Sequence, residues 1–172
     1  MFLNAIKLFF AKRILRNRQS SNTSNPQGLK NNRIGILINA SEVESVEQVI
    51  LYLKLIFPTS YHVEVLVYTE NKQQVFEDHV QSFSLKDLDL FAGFKSNHLQ
   101  DFAKNDFDFL INYYKNPVAP LVLVAQQSKA KIQVGFQADL PLEMILMIDT
   151  HPAHPEIFFK TLHQYLTLTK LI

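Results

Sequence analysis

The sequence predicts an α/β protein, a three-layer Rossmann-like sandwich around a mostly parallel sheet of five or six strands. Three observations predict it. Asp106–Phe136 reads as strand, crossover helix, strand, and only a crossover of a dozen or more residues returns the chain in the same direction. The strand runs Ile34–Ile38 and Phe107–Ile111 are nearly continuous in apolar residues, as strands covered on both faces must be. Between such runs, apolar residues recur at spacings of three and four, the period of a helix packing one stripe on a sheet.

The elements follow in order. Residues 2–16 predict a helix, because Phe2, Leu3, Ile6, Phe9, Phe10 and Ile14 fall on one arc at helical pitch. Lys7, Lys12 and Arg16 lie off that arc, Arg13 falls inside it, and Leu8 and Leu15 lie opposite. Residues 17–32 are polar, with Pro26 and Gly28 as breakers, and read as a linker. The body is then a single domain over 33–172.

Its first strand is Arg33–Asn39. Ser41 and Glu44 match a capping box, and Val43, Val46, Ile50, Leu53 and Phe57 continue as a helix ended by Pro58. His62–Tyr68 is the second strand. A short helix is expected over 71–79, and the alternation Ser82-Phe83-Ser84-Leu85 reads as a strand. Phe91–Phe94 reads as an apolar loop. Ser96 is placed to cap a short helix running to Lys104. In the crossover unit, Asn116 is the expected cap and Pro117 the first helical residue, where a missing N–H costs nothing. A last strand over Met144–Ile148, a turn through His151–Pro155 and a C-terminal helix with Phe158, Leu162, Tyr165 and Leu166 on one side complete the chain.

Charge is split along the sequence. Residues 1–32 hold six of the 17 basic side chains and no acid, so the rest of the chain, with 11 basic and 16 acidic residues, carries a net −5. The arm is too short and too charged to span a bilayer. Its cations follow the apolar residues, which argues against a secretory signal, while its acid-free, Arg- and Ser-rich composition overlaps with that of mitochondrial transit peptides. The absence of Cys removes disulfides, thiolate zinc sites and a cysteine nucleophile.

In an open α/β sheet, ligands bind beyond the carboxyl ends of the strands, where strand order reverses. The residues expected there are Asn39, Ala40 and Ser41, then Asn112, Tyr113 and Tyr114, then Gly135 and Phe136, then Asp149 and His151. Asn39, Ser41, Asn112, Tyr113 and Asp149 are the candidate ligand-binding residues, with hydrogen-bonding capacity for a sugar or base. Asn and Asp also end strands simply because they favour turns. The first turn, Asn39-Ala40-Ser41-Glu42, has no glycine and places an acid where a phosphate would sit, so no nucleotide cofactor is expected. His151 and His154, with Asp149, are weak metal candidates, set between Pro152 and Pro155 in what also reads as a rigid connection.

Two resemblances accompany these residues. The basic, Phe-rich start, the strand end Asn112-Tyr113-Tyr114 and the strand Val134-Gly135-Phe136 make the whole chain resemble an uncharacterised bacterial domain-of-unknown-function family of short Rossmann-like proteins. That resemblance implies a bacterial, cytoplasmic protein and supplies no catalytic residues. Residues 107–136 alone resemble the N-terminal half of heptosyltransferase-type glycosyltransferases, although the first loop lacks glycine and no second domain follows.

The expectation is a non-catalytic binding or assembly domain without cofactor. Phe2, Ile6, Phe9, Phe10, Lys12, Arg13 and Arg16 would dock on a protein partner or on the anionic inner face of the membrane. The alternative is a small or degenerate glycosyltransferase-like enzyme acting on a sugar or nucleoside at the strand ends. Nucleic acid is disfavoured as a partner, because no aromatic–basic recognition module accompanies the six cations.

Overall fold

The structure, a computed structural model, describes residues 29, 31–71, 73–89, 91, 93–137, 144 and 146–172. The helix expected over 2–16 and most of the linker expected over 17–32 lie outside the described residues. The sheet has six strands, each paired in parallel with its neighbours: β1 (Arg33–Asn39), β2 (His62–Tyr68), β3 (Val80–Phe83), β4 (Phe109–Tyr113), β5 (Ile132–Phe136) and β6 (Leu146–Ile148). Their order is β3-β2-β1-β4-β5-β6. This is the Rossmann order, with its reversal between β1 and β4.

Four α-helices among the described residues cover the sheet: α1 (Val46–Ile56), α2 (Asn97–Lys104), α3 (Ala119–Gln127) and α4 (Pro155–Leu168). Alternation along the central strands sorts them into two layers. Ile34, Ile36 and Ile38 of β1, with Phe109, Ile111 and Tyr113 of β4, pack against Val49 and Leu53 of α1 and Phe158 and Leu162 of α4. Leu37 and Leu110 point the other way, onto Leu99 and Phe102 of α2 and Leu121 and Val124 of α3. Gly35 belongs to this second face. A Cβ there would come within 2.8 Å of the Phe107 ring, so the glycine is required by that close approach.

Several local expectations are corrected. Ser41 does not cap α1. Its backbone N–H and hydroxyl both donate to Asn39 Oδ1, which closes a 3₁₀ turn over Ala40–Glu42. The helix starts at Val46, and Ser45 caps it by accepting from the Gln48 N–H at 3.1 Å. Asn116 does not cap α3; Val118 precedes that helix, and Pro120, not Pro117, lies in its first turn. Residues 71–79 form no helix among those described. Thr69 Oγ1 and Asn71 Oδ1 instead accept N–H groups two residues on, the local alternative these side chains offer the backbone. The strand read through Leu85 ends at Phe83, because Ser84 and Asp87 cap each other across a 3₁₀ turn over Leu85–Asp87.

At the sheet's other edge, where the parallel strands begin, Asp108 is fully buried. One carboxylate oxygen accepts from the Asn31 and Asn32 N–H groups at 2.9 and 2.8 Å, and the other accepts from Lys131 Nζ at 2.7 Å. Asp108 thus fixes the point where the chain enters β1. Leu29, just before it, packs against the core shared by α1 and α4.

Candidate functional site

The switch point lies between the carboxyl ends of β1 and β4. Asn39 ends β1, almost fully buried, and its Nδ2 donates to Glu42 Oε1 at 2.9 Å. The 3₁₀ turn aims the Glu42 carboxylate across the reversal at the loop after β4. There it accepts from the Lys115 N–H at 2.9 Å, from the Asn116 N–H at 3.1 and 3.2 Å and from Asn116 Nδ2 at 3.2 Å. Two successive backbone N–H groups and two side-chain amides therefore converge on one carboxylate. Such a nest of amides is an anion-binding concavity, and here the anion is part of the chain. Lys115 Nζ reaches on to the Thr150 carbonyl at 3.3 Å and ties the loop after β6 to the same edge.

The expected ligand-binding residues distribute around this closure. Asn112 is fully buried and points toward α3. Its Nδ2 donates to Gln133 Oε1 at 3.1 Å, and its Oδ1 accepts from the Tyr114 hydroxyl at 3.3 Å. Gln133 Nε2 in turn donates to the Ala125 carbonyl. Tyr113 points into the opposite layer, where it stacks on Phe159 and meets Phe136 and Phe158 edge-on. Its hydroxyl donates to the Pro152 carbonyl at 2.9 Å and pins the turn before α4. Burial pushes the phenols of Tyr113 and Tyr114 well above the ordinary range, with Glu156 adding to the first and Glu42 to the second. Both are neutral hydrogen-bond donors. Ser41 and Asp149 are exposed, one in the 3₁₀ turn and one just past β6.

The two histidines sit in the turn ahead of α4. His151 Nδ1 accepts from the Ala153 N–H at 3.2 Å, which uses that nitrogen inside the turn. His154 Nδ1 lies 3.7 Å from Glu156 Oε1, and the two imidazole rings are 6.3 Å apart. Among the described residues, no group of three His, Cys, Asp or Glu is placed to hold a metal ion. Nor is any helix among them long and apolar enough to cross a membrane.

Glu42 and Lys115 are the site residues that sequence reasoning missed. Glu42 stood out only as an acid at an anion position; its partners Lys115 and Asn116 lie more than 70 residues away, and no local pattern links the two stretches.

Fold and site together define a Rossmann-like α/β domain whose switch point is closed by its own glutamate. The chain belongs to DUF6913, a family of unknown function, which matches residues 7–169 and so takes in most of the basic arm as well as the body. No curated protein and no solved structure matches the chain, and the comparisons lend no support to the local likeness to heptosyltransferase-type enzymes.

Proposed function

We propose that this chain is a non-catalytic binding or assembly domain that meets an anionic membrane surface, at the inner face of the membrane, through residues 2–16. The observation that carries the non-catalytic part is the Glu42 carboxylate, seated on the amides where a ligand's phosphate or carboxylate would bind. A sugar- or nucleoside-handling enzyme would need Asn112 and Tyr113 at a crevice. Both side chains are instead buried, each bonded within a helix layer.

The membrane part rests on the arm. Burying a Phe side chain is worth about 1.5–3 kcal/mol, so an arc of Phe2, Ile6, Phe9 and Phe10 favours an apolar seat. Each cation near an anionic leaflet adds roughly 1 kcal/mol. The acidic body opposes close approach, and the linker can hold it beyond a Debye length of about 8 Å at physiological salt. The expected behaviour is weak, reversible, salt-sensitive binding to vesicles of mixed neutral and anionic phospholipid. Deleting residues 1–18 should abolish it and Phe9→Glu should weaken it. Co-sedimentation checks this, and full-length protein that stays in the supernatant at low salt overturns the membrane reading.

A further inference from the structure

The outer surfaces of α1 and α4, which pack side by side, carry large apolar residues in water: Leu51 at 56% exposure, Leu55 at 70%, Ile157 at 49% and Leu168 at 82%. We infer that this face is the seat, in solution, of residues 2–16 of the same chain.

Four observations select that occupant. The first is the entry point. Leu29 packs on the core shared by α1 and α4, so the chain arrives on this side of the sheet and not on the α2/α3 side. The second is reach. Residues 17–28 span at most about 40 Å when extended, whereas α4, with 14 residues, is about 21 Å long. The arm can therefore travel the full length of the layer before it turns back. Wound as the sequence predicts, residues 2–16 make a rod of about 22 Å, the same length as the seat.

The third observation is charge. Both α1 and α4 follow strands of one parallel sheet, so they start at the same edge. Exposed Glu44 and Glu47 stand at the start of α1, and exposed Glu156 stands at the start of α4. Lys54 and Lys160 lie further along. The arm's cations are concentrated toward its end, at Lys12, Arg13, Arg16 and Arg18. Laying the arm antiparallel to α1 and α4 puts those cations beside the three glutamates and Phe2, Ile6, Phe9 and Phe10 along the leucines. It also opposes the helix dipoles favourably. The fourth is that the family match runs through 7–169, so it takes in Phe9, Phe10 and the arm's cations together with the body.

The docking does not require the membrane contact; where both occur, they compete for the same phenylalanines, and the bilayer then draws on a stored arm. The test uses the full chain, which has no native cysteine. A nitroxide is placed at Asn4→Cys, off the apolar arc, and paramagnetic broadening is read at dilution. Amides of Leu51, Leu55 and Leu168, toward the ends of α1 and α4 where an antiparallel arm places residue 4, should lose most of their intensity, while those of Gln126 and Gln127 on the opposite layer keep theirs. Adding Phe9→Glu and Phe10→Glu should restore the lost signals. Broadening that appears only when labelled and unlabelled chains are mixed assigns the face to a second copy and overturns the proposal. Absence of broadening, or broadening that survives the double glutamate change, overturns it as well. Vesicles separate the two claims: within-chain broadening without sedimentation keeps the docking and removes the membrane reading, and sedimentation without broadening does the reverse.

Discussion

Replacing Glu42 by alanine removes one carboxylate from four donors. Asn39 Nδ2 is almost fully buried and Lys115 N–H partly so, whereas Asn116 is exposed and can turn its amides to water. Only the first two losses are expensive. A hydrogen bond to a charged group contributes about 1.5–3 kcal/mol, and an unsatisfied buried donor costs about 1–3 kcal/mol. Allowing for solvent at Lys115, Glu42→Ala should destabilise by about 2–4 kcal/mol. Glu42→Gln keeps one acceptor oxygen and should cost about half as much. Urea unfolding followed by circular dichroism measures both. The slope against urea should be unchanged, since the exposed surface is the same and only the midpoint moves. A Glu42→Ala midpoint within about 0.5 kcal/mol of wild type, the range of an ordinary surface change, would refute the idea that this carboxylate closes the switch point.

Asp108→Ala strips three donors from a fully buried carboxylate and should cost about 3–5 kcal/mol by urea unfolding, with amide exchange rising at Asn31 and Asn32. Stability should also fall above pH 10. The phenols of Tyr113 and Tyr114 are held above their unfolded range, so their contribution is intact below about pH 10 and is lost as pH rises toward the folded values. Each adds a slope of about 1.4 kcal/mol per pH unit. Denaturation midpoints across pH 8–11 read that slope, and Tyr113→Phe should remove the Tyr113 share and leave that of Tyr114. Gly35→Ala meets the Phe107 ring at 2.8 Å inside a filled core and should cost about 1–3 kcal/mol. Gly135→Ala meets mainly the flexible end of the Met144 side chain and should cost less; thermal-shift midpoints of the two variants check this order.

Much of the fold was legible because the strands announce themselves locally. Arg33–Asn39 and His62–Tyr68 have the bounds that their apolar runs predict. Helix starts were less legible, because caps compete. Ser41 and Ser45 both suit a cap, and the choice falls to Ser45 once Asn39 captures Ser41. Asn116 looks like a cap until its amide is taken by Glu42 from across the sheet. The candidate site suffered from the same distance. Placing Asn112 and Tyr113 at a strand end was correct as sequence position, yet β4 is covered on both faces, and alternation sends the two side chains into opposite helix layers. A central strand leaves no face free to line a crevice. A carboxylate pairing with amides more than 70 residues away has no local signature at all.

The most direct test of the closed switch point is a titration of the full-length ¹⁵N-labelled protein with ADP, NAD and UDP-glucose, each carried to millimolar concentration. With Glu42 seated on the Lys115 and Asn116 amides, no saturable shift should appear at Asn39–Glu42, Asn112–Asn116 or Gly135–Phe136. Saturable shifts confined to those residues for any one of the three compounds would contradict the account, because a ligand would then be entering the place that the glutamate is held to fill.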